Sequence, residues 1–257
     1  LPNAYILPED KRKEQKKAKE KAAFAAHLTE IPFYFNGTDY TEGERTGLFL
    51  FHAPSGQLER ISKEELDVDF YALSEDKARL FFGARTRGHK AELFNHLYKF
   101  ALPQADLNLG ETIPLTPPVQ LYAEGDWDFS FAWEGQLADE EALFVLACDM
   151  QEYGINQSPC IYQLHEERGQ LEAVSEKSYE FYSCLNTDID FGGKPGSFVK
   201  NGVFYFVATD RDHDALYAIQ PGEEPSKIWD ADGAILGTAP CGPSFLCTAM
   251  QDYLPAE

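Results

Sequence analysis

The sequence predicts an all-β protein: a partial β-propeller of about four to five four-stranded blades, with one short charged N-terminal helix as an insertion. Three observations predict it. "GLFLFHAPSGQLERIS" (47–62) and "CIYQLHEERGQLEAVS" (160–175) share His, Gly-Gln-Leu-Glu and Ser at matched offsets, so one hairpin is written twice. Two further strand–turn–strand units, "HLYKFALPQADLNLGETIPLT" (96–116) and "ALYAIQPGEEPSKIW" (215–229), place Phe49, Tyr98, Tyr162 and Tyr217 at intervals of about 50 to 65 residues, a period that marks propellers and arrays. Runs such as Leu80-Phe81-Phe82 and Phe204-Tyr205-Phe206-Val207 are apolar on both faces, as strands covered on both sides must be.

Three of these hairpins follow two more candidate strands, and a fourth pair of such strands follows the last hairpin. "VDFYALSE" (67–74), "WDFSFAWEG" (127–135), "FYSCLNTDI" (181–189) and "AILGTAP" (234–240) read as first strands. "ARLFFGARTRG" (78–88), "ALFVLACDMQEYG" (142–154), "GVFYFVATDRDHD" (202–214) and "SFLCTAMQDYLPAE" (244–257) read as second strands that run into polar loops. The expected blades are therefore about 30–62, 67–117, 126–176, 181–230 and a half blade at 232–257, within a single propeller segment covering 1–257. An open propeller end exposes edges and an apolar face. This count predicts either that the first and last units complete each other in a five-bladed ring, or that the chain is an arc of a larger propeller. Segment 7–27 is rich in Ala, Glu and Lys and predicts a helical inter-blade insertion.

A chain of 257 residues, 44% hydrophobic and 14% aromatic, can bury a large core. Its formal charge is −21, although "KRKEQKKAKEK" (11–21) alone carries seven bases and two acids. So acidic a body repels phosphate backbones, which argues against nucleic acid as a partner. The basic run is interleaved with Glu14 and Glu20 and reads as a solvated helix face. No apolar run approaches the roughly 18 residues of a membrane span, so no membrane partner is expected. Cys148, Cys160, Cys184, Cys241 and Cys247 form no Cys-x-x-Cys pair and predict buried thiols in a cytoplasmic protein, with one disulfide left open. The six histidines have no ligand-like spacing to one another or to the cysteines, so neither metal nor cofactor is expected.

The stretches "EIPFYFNGTDYTEGERTGLFLFHAPSGQLERIS", "VDFYALSEDKARLFFGARTRGHKAELFNHLYKF", "EYGINQSPCIYQLHE" and "CLNTDIDFGG…GVFYFVATDRDHDALYAI" resemble, in that order, the N-terminal propeller of the prolyl oligopeptidase family of serine peptidases. The likeness is to its bacterial acylaminoacyl-peptidase and dipeptidyl-peptidase-like members and covers about residues 30–257. It implies a propeller that gates and orients oligopeptides for a C-terminal α/β-hydrolase domain bearing a Ser, Asp and His triad. The sequence departs from the family in having no such domain and no Gly-x-Ser-x-Gly elbow, since Ser197 and Ser244 lack the flanking glycines. This chain alone is expected to be inactive.

Under that resemblance, Asp149 and Glu152 of "CDMQEYGIN" and Asp188 and Asp190 of "NTDIDFGG" are candidates to attract a peptide ammonium. Turn residues of these types also satisfy local backbone, and that reading stays open. Arg85 and Arg87, in the basic island "ARTRGHK", are candidates for a substrate carboxylate or for the hydrolase domain, and a solvated loop is the other reading. Trp127, Phe129, Phe131 and Trp133 alternate as one strand face and read as core. The rival expectation is a self-contained five-bladed propeller binding a protein or a carbohydrate. A glycosidase-type tunnel would need paired carboxylates, for which only the Asp149 and Asp188 regions are available. Exposed blade faces predict a homodimer.

Overall fold

The computed structural model describes residues 9–21, 28–35, 39–41, 43–103, 115–137, 140–175, 179–185, 197–220 and 223–251. The charged segment forms helix α1, Glu9–Lys21, inside the expected 7–27; its remaining residues lie outside the described ones. Among the described residues after it, every named strand pairs antiparallel, and one 3-10 turn, Gly154–Asn156, lies between strands.

Three sheets repeat one plan, a four-stranded meander in which each strand pairs with its sequence neighbours. The first holds β5 (Leu66–Leu73), β6 (Arg79–Thr86), β7 (His96–Ala101) and β8 (Val119–Gln120). The second holds β9 (Asp128–Leu137), β10 (Glu140–Cys148), β11 (Cys160–His165) and β12 (Gln170–Ala173). The third holds β13 (Phe198–Lys200), β14 (Val203–Asp210), β15 (His213–Ile219) and β16 (Ser226–Asp230). Two-stranded sheets flank them: β3 (Phe49–His52) with β4 (Gln57–Arg60) before, and β17 (Gly233–Cys241) with β18 (Ser244–Gln251) after.

Over 30–62, β1 (Tyr34–Phe35) and β2 (Asp39–Tyr40) pair with each other, apart from the β3–β4 hairpin. One expectation is corrected. The first strand of the third full sheet is Phe198–Lys200, while 181–185 is not strand. There Phe181 adopts a positive φ of 54° and turns its ring into the core beside Phe206, which removes that stretch from any ladder. No sheet closes on itself among the described residues.

Strand alternation explains why the sheets stack. Phe82 and Phe100 face the β3–β4 sheet, meeting Leu48 and Leu50, while Phe81 and Leu97 face the second full sheet and meet Val145 and Leu164. Trp133 and Phe144 then meet Phe204 and Phe206 of the third, whose opposite face offers Val207 and Leu216 to Ile235 and Cys247. Each full sheet is thus covered on both sides, which is why its middle strands are apolar throughout. A fully buried Phe contributes about 2–3 kcal/mol by leaving water, so the order of stacking follows from the sequence of apolar pairs.

The duplicated hairpin has a physical cause. In both copies the Gly N–H closes the turn on the His carbonyl: Gly56 on His52 at 2.9 Å and Gly169 on His165 at 2.8 Å. Both glycines sit at positive φ, +69° and +65°, where a Cβ is penalised. The strand bases match too, with Ile61 N–H on Leu48 O and Val174 N–H on Ile161 O.

A second repeated device ties neighbouring sheets together. The side chain of Asn95, three residues before Tyr98, accepts Phe129 N–H and donates to Phe129 O, both at 2.8 Å. Asp214, three residues before Tyr217, accepts Ile235 N–H at 2.8 Å. In each case a buried polar residue at the start of the third strand clasps the first strand of the next sheet.

Candidate functional site

The first strands lie at corresponding edges of their sheets, and these edges come together: β5 packs beside β9, and β13 beside β17. At one end of that seam is a cleft of about 430 Å³, lined by the β5–β6 turn, the facing ends of β9 and β10, and the β13–β14 turn.

The β5–β6 turn is built by its own side chains. Ser74 Oγ donates to Asp76 Oδ1 at 2.5 Å and accepts Arg79 N–H at 2.9 Å, while Asp76 Oδ1 also accepts Ala78 N–H at 2.9 Å. These bonds, the Ser74 hydroxyl first, hold the Asp76 carboxyl below its ordinary range. They leave Glu75 at the tip, where its two oxygens accept the N–H groups of Asn201 and Gly202 at 2.5 and 3.1 Å. Those two residues form the β13–β14 turn at φ of 52° and 73°, the geometry of a tight hairpin whose amides point outward. The contact joins the first and third full sheets across the second.

Arg79 begins β6 and is the cation among four carboxylates. Its Nε lies 2.9 Å from Glu134 Oε2, without the alignment of a hydrogen bond, and its Nη2 lies 3.5 Å from Asp76 and 3.6 Å from Glu141. Burial raises the Glu134 carboxyl above its ordinary value, and the Arg79 charge opposes that rise only in part. Gln136 and Gln220 add amides to the wall. Glu75, Asp76, Glu134 and Glu141 against one guanidinium give the cleft a negative field suited to a cation that donates hydrogen bonds.

The residues singled out from the sequence lie elsewhere. Arg85 is the penultimate residue of β6 and Arg87 directly follows the strand, at the opposite end of the sheet from the β5–β6 turn. Arg85 pairs with Asp69 at 3.0 Å and Asp128 at 3.2 Å and donates to Leu93 O at 2.9 Å, linking the first and second full sheets. Burial lifts the Asp128 carboxyl despite that guanidinium. Arg87 is part-buried, pairs with Asp67 at 3.0 Å and donates to Pro32 O at 3.0 Å. Asp149 follows β10 at that same far end, where its Oδ1 accepts Gln157 Nε2 at 2.8 Å and Gln151 N–H at 3.1 Å. Glu152 is exposed in that loop, and its N–H donates to Gln157 Oε1 at 2.8 Å. Nearby, burial, followed by the Cys160 thiol, pushes Tyr162 up to about 12. Asp188 and Asp190 lie outside the described residues. Glu75, Asp76, Arg79, Glu134 and Glu141 were missed by sequence reasoning, because "SEDKAR" is an ordinary turn until the Asn-Gly turn at 201–202 is seen to meet it.

No disulfide joins cysteines among the described residues, and there no cluster of three His, Cys, Asp or Glu side chains is disposed to hold a metal. No described helix is long and apolar enough to cross a membrane. Comparison with family models finds no match, and comparison with curated proteins finds none.

Proposed function

We propose that the chain is a non-catalytic β-propeller segment of a serine peptidase, and that it receives oligopeptides by their N-terminal ammonium in the Glu75 cleft for an α/β-hydrolase domain to cleave. The observation that carries this reading is the contact of Glu75 with Asn201 and Gly202: three stacked meander sheets bring their first-strand ends to one point, as blades do around an axis. A propeller's ligands enter along such an axis, and here the entrance is lined by Asp76, Glu134 and Glu141.

An ammonium supplies three N–H donors and one positive charge, which matches a wall of carboxylates and amides. Charge-assisted bonds of this kind contribute about 1.5–3 kcal/mol each. Calorimetric titration with a tripeptide and its N-acetylated form tests the reading. The free amine is expected to bind at least tenfold more tightly, with the difference lost in Glu141→Gln; equal binding, or none, rejects it. Aminoacyl nitroanilides should stay intact, and hydrolysis blocked by a serine-directed phosphonate would contradict the non-catalytic assignment.

A further inference from the structure

The two half sheets carry complementary deficits. In the three full sheets the second strand pairs with the third. The hairpin β3–β4 corresponds to the third and fourth strands, because it matches β11–β12 turn for turn, and among the described residues no second strand pairs with it. The hairpin β17–β18 corresponds to the first and second, and among the described residues no third strand pairs with β18. We propose that β18 of one copy pairs with β3 of a second copy, so that two chains complete two four-stranded sheets around a twofold axis.

Exposure at matched positions points the same way. Phe51 lies two residues beyond Phe49, as Phe100, Leu164 and Ile219 lie two beyond Tyr98, Tyr162 and Tyr217. Those three are 1%, 3% and 3% exposed, whereas Phe51 is 62% exposed. Cys247 is fourth in β18, as Phe82 is in β6 and Phe206 in β14, and like them it packs toward the preceding sheet. Its neighbour Leu246 therefore matches Phe81, with Phe144 the matching residue of β10; those two are fully buried, while Leu246 is 63% exposed. Tyr205, the match in the third full sheet, is part-buried against Phe245 of β18.

The edges themselves lack protection. A natural edge strand is blunted by charge or by brevity, and the fourth-strand edges obey this: β4 carries Glu59 and Arg60, β12 carries Glu172, β16 carries Lys227 and Asp230, and β8 is two residues long. By contrast β3 contains no Asp, Glu, Lys or Arg, nor do β17 and β18. In a chain of net charge −21, self-association is opposed almost everywhere else. A stable interface buries about 800 Å² per partner. One four-residue edge falls short of that, whereas the twofold arrangement engages both edges and both apolar faces of each chain at once, and it closes without leading to a filament.

Register follows from the full sheets. Tyr98 faces Phe82 and Tyr217 faces Phe206, so Phe49 should face Cys247 of the second copy. The inference rests on strand order and exposure, independently of the peptide reading. Light scattering of the full chain should give twice the chain mass, and Phe51→Lys and Leu246→Lys should each raise the dimer dissociation constant at least tenfold while leaving the far-ultraviolet dichroism unchanged. Under oxidised glutathione, which takes up the two electrons and two protons released, Phe49→Cys should form an interchain disulfide that disappears in the Phe49→Cys/Cys247→Ser double variant. A monomer at every concentration, a dimer indifferent to both lysines, or a disulfide from the introduced thiol to Cys247 of the same chain overturns the proposal.

Discussion

The fully buried carboxylate of Asp214 accepts the backbone N–H of Ile235 at 2.8 Å and the hydroxyl of Thr209 at 2.8 Å, fastening the third full sheet to β17. Removing it strands the buried Ile235 N–H, at about 1–3 kcal/mol for an unpaired buried donor, and takes the acceptor from the part-buried Thr209 hydroxyl. Asp214→Ala should therefore lower unfolding stability by about 3 kcal/mol in urea titration. Asp214→Asn keeps an acceptor and copies Asn95 at the matching position, so its loss should be less than half as large.

The two repeat glycines separate backbone strain from crowding. A Cβ on Gly56 meets nothing within 4 Å, so Gly56→Ala should lose only the positive-φ penalty, about 1–2 kcal/mol. A Cβ on Gly169 would lie 2.3 Å from the Tyr122 ring. Gly169→Ala should cost a further ~1–3 kcal/mol of overpacking, visible as a lower melting temperature than Gly56→Ala.

Phe204 stacks on Trp133 with ring centroids 4.3 Å apart and also meets Phe131 and Phe181. Deleting so buried a ring leaves a cavity between two sheets. Phe204→Ala should cost about 3–5 kcal/mol, and calorimetry should show the loss as a large drop in melting temperature.

His213 sits between Asp212 at 3.0 Å and Asp230 at 3.3 Å, and the Asp212 hydrogen bond comes first in raising it above its ordinary value of 6.5. A raised histidine stabilises the fold fully below pH 6.5, and that stabilisation disappears as pH rises through the folded value. NMR titration should find His213 above 6.5, and His213→Gln should flatten the stability profile over that window.

The repeat was readable because a hairpin's turn chemistry is local: His52 to Gly56 and His165 to Gly169 write the same closure in adjacent residues. Apolar doublets such as Phe81-Phe82 likewise announced two covered faces. Phe198–Lys200 was missed as a first strand because three residues carry too little alternation, while the aromatic run at 179–182 imitates a strand and instead fills the core. The Glu75 cleft was illegible for a different reason. Its walls come from turns whose partners are fixed by sheet stacking, and no local pattern records that Glu75 will meet Asn201. Arg85 and Arg87 stood out by charge, and ion pairs with Asp69, Asp128 and Asp67 account for them.

Glu75 and Asn201 are 126 residues apart in the chain. Neither turn alone forms the cleft, which comes into being only after the intervening sheet has docked on both sides. Closing so long a loop is entropically slow and late, which makes the assembled cleft an indicator of finished folding. A ligand held there has nothing to grip in a partly assembled chain, and its binding energy goes wholly to the complete stack.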